Sequence, residues 1–351
     1  MILVNSHPII VEGVVSLVSN NSAKLSSSEL AMLWSIYIEN TLSLSVLKYF
    51  LSIVEDQDIK SVIEYAFEIS NKSVLQIEAI LEIEQIPVPY GFSDSDVNLD
   101  APRLYSDVFL CRYVEFMGRT AEVTYSLAHS TSARIDIRKL FHFFLVESAK
   151  LLDKAMDVSL EKGIFVRSPV ISYPTHNEYV EKENFLSGFI GEKRPLTVIE
   201  ITHIATNIES NSVGTALIMG FAQVAQSKEV KNYLAKGFEI GKKHIEVLSK
   251  VLKDDNISSP STWDTDVPAS TIAPFSDKLM MHHILTMNSA SIGNYGASLG
   301  GSPRRDIGLH YVRFIGEVGN YATDGAEIMI TNGWMEKPPH TVDRQQTMKP
   351  N

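Results

Sequence analysis

Apolar residues recur along this chain at alternating spacings of three and four, the pattern of helices that bury one stripe. The first stripe reads Leu30, Leu33, Tyr37, Asn40, Leu44, Leu47, Leu51 and Val54. The second reads Ile59, Val62, Ala66, Ile69, Ser73 and Ile80. Only a very short turn separates them, so the two helices must be antiparallel neighbours. A connection from Gln85 to Tyr105 follows, with Pro87, Pro89, Gly91 and Pro102. A loop that long ordinarily argues against an assignment, but a ferritin-like bundle requires one long crossover between its two hairpins. A third helix is predicted from Ser106 to about His129. A fourth starts after Ser132, with Ile137, Leu140, Phe144, Glu147, Leu151 and Val158 as its stripe and Gly163 as its stop.

The pattern then repeats. Shifted by 171 positions, residues 25–81 overlay residues 196–252 without a gap, keeping Leu25/Leu196, Glu29/Glu200, Asn40/Asn211, Phe50/Phe221 and Lys72/Lys243. After one deletion the match continues at a shift of 170. It keeps Asp96/Asp266, Ser106/Ser276, Asp107/Asp277, Tyr125/Tyr295, Arg134/Arg304, Asp136/Asp306, Glu147/Glu317 and Gly163/Gly333. A whole domain is therefore doubled. Both copies open on a capping box, Ser26 with Glu29 and Thr197 with Glu200. Ser132 and Ser302-Pro303 are read as the N-caps of the fourth helices. The expected organisation is an N-terminal extension (1–24), a first bundle (25–163), a linker (164–195), a second bundle (196–334) and a loose tail (335–351). Phe185, Phe189 and Ile190 suggest that the linker packs on a bundle.

Composition narrows the picture. A net charge of -11 over 351 residues argues against nucleic acid as the main partner. A single cysteine, Cys111, rules out an internal disulfide, fits a reducing compartment, and reads as a buried inert thiol. No apolar run is read as long enough to span a bilayer. Met1 to Val18 lacks a basic start and is read as an extension or short strand rather than a signal peptide. Gly-x-Gly-x-x-Gly after a strand, phosphate loops and Gly-x-Ser-x-Gly are all absent. Trp34, Trp263 and Trp334 read as packing residues, and His203 and His310 as structural histidines.

Polar residues on the stripes are the candidate chemistry. Counting along the helices puts Asn211, His244, His282 or His283, and Glu317 near one level of the second bundle. The first copy has Asn40, Ser73, Arg112-Tyr113 and Glu147 there. Inward-facing imidazole and carboxylate at one level is how bundle metal sites are built, so His244, His282, His283 and Glu317 could hold zinc, iron or manganese. The di-iron motif of Glu-x-x-His on two helices is only half present: Gly241-x-x-His244 and Glu317-x-x-Asn320. The plainer reading makes these positions a structural polar core. Asn40 and Asn211 then fix register, Glu147 pairs with Arg112, and Glu317 pairs with His282.

Several motifs carry a resemblance. They are Lys24-Leu-Ser-Ser-Ser-Glu29, Asp96-Val-Asn-Leu-Asp-Ala-Pro-Arg-Leu-Tyr-Ser-Asp107, Arg194-Pro-Leu196, Gly220-Phe-Ala-Gln-Val-Ala225, Ala273-Pro-Phe-Ser-Asp-Lys-Leu-Met-Met281 and Ile330-Thr-Asn-Gly-Trp334. Over residues 24–345 the chain resembles an uncharacterised tandem-bundle family of spore-forming bacteria, some members of which are labelled spore coat proteins. The resemblance implies a ferritin-like fold and a cytoplasmic or spore-associated setting. It implies no activity and no catalytic residue. The expectation is thus an all-α protein of two tandem ferritin-like four-helix bundles. Three functional readings stand beside it: a non-catalytic structural or interaction protein, through self-association or spore-protein contacts; a metal-binding or redox protein using the second bundle; and a binder of an apolar small molecule between helices.

Overall fold

Among the described residues, eight long helices occupy the places the stripes mark: α1 (Ser27–Ile53), α2 (Gln57–Ile83), α3 (Asp107–Thr131), α4 (Ile135–Glu161), α5 (Val198–Val224), α6 (Lys228–Asp254), α7 (Asp277–Gly301) and α8 (Arg305–Thr331). This computed structural model describes residues 23–188, 193–263, 266–341 and 344. The extension read over Met1 to Val18, and Phe189 and Ile190, lie outside the described residues. The chain is all-α, with no strand among the described residues beyond one isolated bridge, Val97 to Phe275.

In each copy the four helices close a ring. Helix α1 packs on α2, α2 on α4, α4 on α3 and α3 back on α1; α5 to α8 repeat the circuit. The start of α1 meets the end of α3, where Ser28 Oγ donates to the Thr131 carbonyl at 3.1 Å. The start of α2 meets the end of α4, where Lys162 pairs with Asp56 at 2.7 Å and Asp58 at 2.9 Å. The course is therefore up, down, down, up in two tandem bundles.

Both capping boxes form as the Ser/Thr-x-x-Glu spacing requires. Glu29 and Glu200 also reach across the bundle and accept from the Arg134 N–H (2.7 Å) and Arg304 N–H (3.1 Å), which open α4 and α8. The N-caps of those two helices are thus Arg134 and Arg304, without side-chain caps, rather than Ser132 and Ser302. Ser132 Oγ instead donates to the Ala128 carbonyl behind it. The distant carboxylate supplies what a local serine would have supplied. Arg134 and Arg304 then clamp Asp136 and Asp306 two residues on. Gly163 and Gly333 end α4 and α8 at φ +69° and +67°, the left-handed region that favours glycine.

Helix α1 meets the length and apolarity of a membrane-crossing segment, which the sequence pattern alone had not suggested. Here it is a core helix, buried against its own bundle and against the other copy. At the start of the tail read as loose, the Glu336 carboxylate accepts from the Tyr90 N–H at 3.0 Å, just after Trp334, which packs against the core; most of the tail beyond residue 341 lies outside the described residues.

The two copies share one core along their facing surface, and the contact is reciprocal. Ser276, N-cap of α7, donates through Oγ to Asp96 Oδ1 at 2.7 Å and through its N–H to the Asp96 carbonyl at 2.9 Å. Ser106, N-cap of α3, does the same to Asp266, at 2.7 and 2.9 Å. Each crossover therefore caps the third helix of the other copy. Contacts in which i meets j and j meets i mark a two-fold relation. Tyr113 and His283, equivalent positions, touch each other across it at 3.1 Å. Tyr49 packs edge-on against Phe275; its equivalent, Gly220, leaves room for Tyr105, whose hydroxyl donates to the Leu217 carbonyl at 2.9 Å.

Candidate functional site

Three of the predicted polar residues of the second bundle do meet. His244, from α6, is fully buried and stacks on Phe314 with ring centroids 3.9 Å apart. Its Nε2 lies 3.0 Å from Glu317 Oε2, on α8. Its Nδ1 lies 3.0 Å from the Tyr295 hydroxyl, on α7, which in turn lies 3.0 Å from Asn211 Oδ1, on α5. One residue from each helix thus joins a single hydrogen-bonded chain. Burial pushes the imidazole pKa down despite the neighbouring Glu317. Burial would raise the Glu317 carboxyl, but hydrogen bonds from Lys243 and His244 outweigh it and hold it low.

His282 and His283 do not join this chain. They lie on the half of α7 that faces the first bundle. His282 Nε2 is 3.3 Å from Glu39, and its ring packs on Phe92. His283 is buried between Tyr113 and Phe221. Tyr295 lies twelve residues further along α7, roughly 18 Å at the helical rise, and its half of the helix faces its own bundle. Asn211, His244 and Glu317 share a level as expected, whereas His282 and His283 sit about three turns away from it and face the other copy. Tyr295 was overlooked, although its retention as Tyr125 in the first copy was the signal that could have found it.

The expected ion pairs are also rearranged. Arg112 does not reach Glu147, and His282 does not reach Glu317. Arg112 is buried at the contact between copies, paired with Glu115 on its own helix and with Glu209 on α5. Arg119 joins both carboxylates, and Trp263 and Phe165 stack over the Arg112 guanidinium. Glu147 instead accepts from the Tyr65 hydroxyl at 3.0 Å and pairs with Lys150. Cys111 is buried, its thiol pushed up by burial and 3.4 Å from Ser159 Oγ.

A metal would require more ligands than converge here. Protein zinc sites use three or four side chains. Among the described residues no three His, Cys, Asp or Glu side chains come together in that way. His244 and Glu317 are two, and both ring nitrogens of His244 already have partners. The donor set does not fit the metal centre that ferritin-like bundles commonly carry.

The first copy has the same band with one substitution that matters. Asn40 Nδ2 donates to the Tyr125 hydroxyl at 3.2 Å, whereas in the second copy the Tyr295 hydroxyl donates to Asn211 Oδ1. Ser73 stands where His244 stands. An imidazole has become a hydroxymethyl group, and Phe144 has lost its stacking partner. A cavity of about 160 Å³ opens at this level, walled by Ile69, Ser73, Phe143, Phe144 and Leu151 and continuing to Leu217 and His283 of the second copy.

These features define a class: an all-α protein of two tandem helical bundles joined face to face by reciprocal capping. The chain belongs to the family described as "Protein of unknown function (DUF3231)", whose model matches residues 16–176 and again residues 184–347. The doubling read from the sequence is the doubling of that domain. Among solved structures, the chain is similar to one from Bacillus halodurans C-125 described as a "putative spore coat protein". The two are 19% identical, with a TM-score of 0.41, over 43% of this chain and 98% of that one. No curated protein matches.

Proposed function

We propose that this chain is a non-catalytic structural or interaction protein, built as two ferritin-like repeats over residues 25–163 and 196–334, in the spore-associated setting its family resemblance implies. One observation carries the reading: the polar residues that both copies retain are committed to holding the chain together. Glu29 and Glu200 cap helices, Asp107 and Asp277 brace the turns before α2 and α6, and Arg134 and Arg304 lock their neighbouring aspartates. Asn40 and Asn211 hold the buried tyrosines. Groups used in this way serve shape rather than turnover.

Metal analysis of protein purified without an affinity tag tests this reading. The expected content is less than about 0.2 metal per chain. A stoichiometric ion that disappears in His244→Ala would overturn the reading in favour of a metal-binding second bundle.

A further inference from the structure

The two-fold relation between the copies creates two equivalent clefts, and they are filled differently. In one, Arg112, Glu115 and Arg119 of α3 interlock with Glu209 of α5, and Trp263 and Phe165 lie over the Arg112 guanidinium. In the other, the equivalent positions are His282, Leu285 and Ser289 of α7 and Ile38 of α1. An imidazole, a hydroxyl and two apolar side chains replace the charged set, so no such network can form. A cleft of about 590 Å³ stands in its place, between α1, α7, the first crossover and the segment after α8. That volume falls within the range of small-molecule pockets, roughly 300–1,000 Å³.

The walls of this cleft suit a flat ring. Trp34, Phe92, Leu285, Met329 and Trp334 line it. Phe92 and Met329 are buried, and Trp34 and Trp334 pack against the core, so these surfaces are held in place. Aromatic walls take up a further ring by stacking or edge contacts.

The charge of the cleft selects an anion. The Lys278 ammonium lies 4.8 Å from the centre of the Phe92 ring and donates to the Gly91 carbonyl at 3.0 Å. An ammonium has three donors, so it retains capacity for another acceptor. Among the described residues no carboxylate forms an ion pair with it. Lys337 brings a second positive charge to the lining. Glu336 also lines the cleft, but its carboxylate is turned to the backbone, accepting from the N–H of Tyr90 at 3.0 Å and of Gly91 at 3.4 Å. The Nε2 of His282 faces Glu39 at 3.3 Å. Ring and charge are close enough to be used together. Gly91 bonds Lys278 through its carbonyl and Glu336 through its N–H. Trp334 stands two residues before Glu336, at most about 7 Å along the chain. Lys278 and Trp334 are thus within the span of one two-ring aromatic acid.

We propose that this cleft binds one flat aromatic carboxylate per chain, with the carboxylate on Lys278 Nζ and the rings against Trp334. The ligand touches both copies, since Lys278 and Trp334 belong to the second and Gly91 and Phe92 to the first. The site adds a ligand to the structural role proposed above and does not depend on it.

Calorimetric titration of the full chain with 2-naphthoate and, separately, with the neutral naphthalene-2-carboxamide tests the assignment. The expected result is one naphthoate per chain, bound about tenfold more tightly than the amide, the discrimination that one charge-assisted hydrogen bond gives. Lys278→Gln removes the charge and keeps a donor for the Gly91 carbonyl. It should bring naphthoate down to about the affinity of the amide and leave the amide unchanged. Should that chain fail to fold, Lys337→Glu is read in its place: the exposed side chain puts a negative charge on the lining and should weaken naphthoate at least about threefold while sparing the amide. Absence of naphthoate binding at up to about 1 mM overturns the proposal. So does naphthoate affinity that the charge variant leaves unchanged, because the ligand then sits elsewhere. Equal affinity of the wild type for acid and amide overturns the role of Lys278. None of these results bears on the metal content measured above, so the two readings fail independently.

Discussion

At the scale of single residues, the two buried capping glutamates connect sequence to stability most directly. Each serves one helix as an N3 capping residue and a second helix as the acceptor for its first N–H. Glu29→Ala or Glu200→Ala removes a capping box and strands a buried N–H, so each should cost about 2–3 kcal/mol in urea unfolding. The pH dependence has a definite sign. Burial pushes both carboxyls up, but hydrogen bonds outweigh it: Glu29 accepts from Ser26 and Arg134, Glu200 from Arg194, Thr197 and Arg304. Both carboxyls titrate below their ordinary value of 4.5. A depressed folded-state pKa means that this stability is fully present above 4.5 and disappears as pH falls through the folded values. Unfolding midpoints should hold steady down to about pH 5 and decline below it, with a shallower decline in Glu200→Gln. An equal decline in the variant would mean that other carboxylates set the acid limb. The capping role was legible because Ser/Thr-x-x-Glu is a local pattern; the bond to Arg134 or Arg304 was not, since it joins residues more than a hundred positions apart.

At the scale of elements, the crossovers do more than connect hairpins. Asp96 lies in a 3-10 turn of the first crossover (Asp94–Asp96) and caps α7 of the second copy, while Asp266 caps α3 of the first. Loss of an N-cap partner frays the first turn of the helix it serves. Asp266→Ala should therefore speed amide hydrogen exchange at the start of α3, and Asp96→Ala at the start of α7, by roughly tenfold for about 1 kcal/mol or a little more of lost cap. Faster exchange confined to the mutated copy would refute the crossed arrangement. The sequence marked Asp96, Ser106, Asp266 and Ser276 as shared by both copies. It could not say that each Asp serves the other copy's Ser, because an internal repeat reports which residues are constrained and not which partner constrains them.

At the scale of the whole molecule, the copies behave as one body rather than as beads on a linker. Apolar residues of both contribute to one buried cluster, including Tyr49, Phe50, Tyr105, Phe221 and Phe275. Buried ion pairs at Arg112 add to it. By contrast, the linker residues Tyr173 and Tyr179 are exposed. Limited proteolysis should cut there and leave two fragments that co-elute by size exclusion without denaturant. Fragments that separate at micromolar concentration would show that the facing surface is too weak to join the copies without the covalent link.

The sequence alone determined the helices, the capping boxes that open α1 and α5, the doubling and the common level of Asn211, His244 and Glu317. These follow from periodicity and short-range chemistry, which are written along one dimension. The tertiary structure decided which neighbour covers each face. It turned His282, His283 and Arg112 toward the other copy, joined His244 to Tyr295 and Glu317, and left an open cavity where Ser73 replaces His244. Spacing along a helix fixes which side chains share a side, whereas the packing of eight helices fixes what that side meets, and only the second determines where polar groups find partners and where space remains.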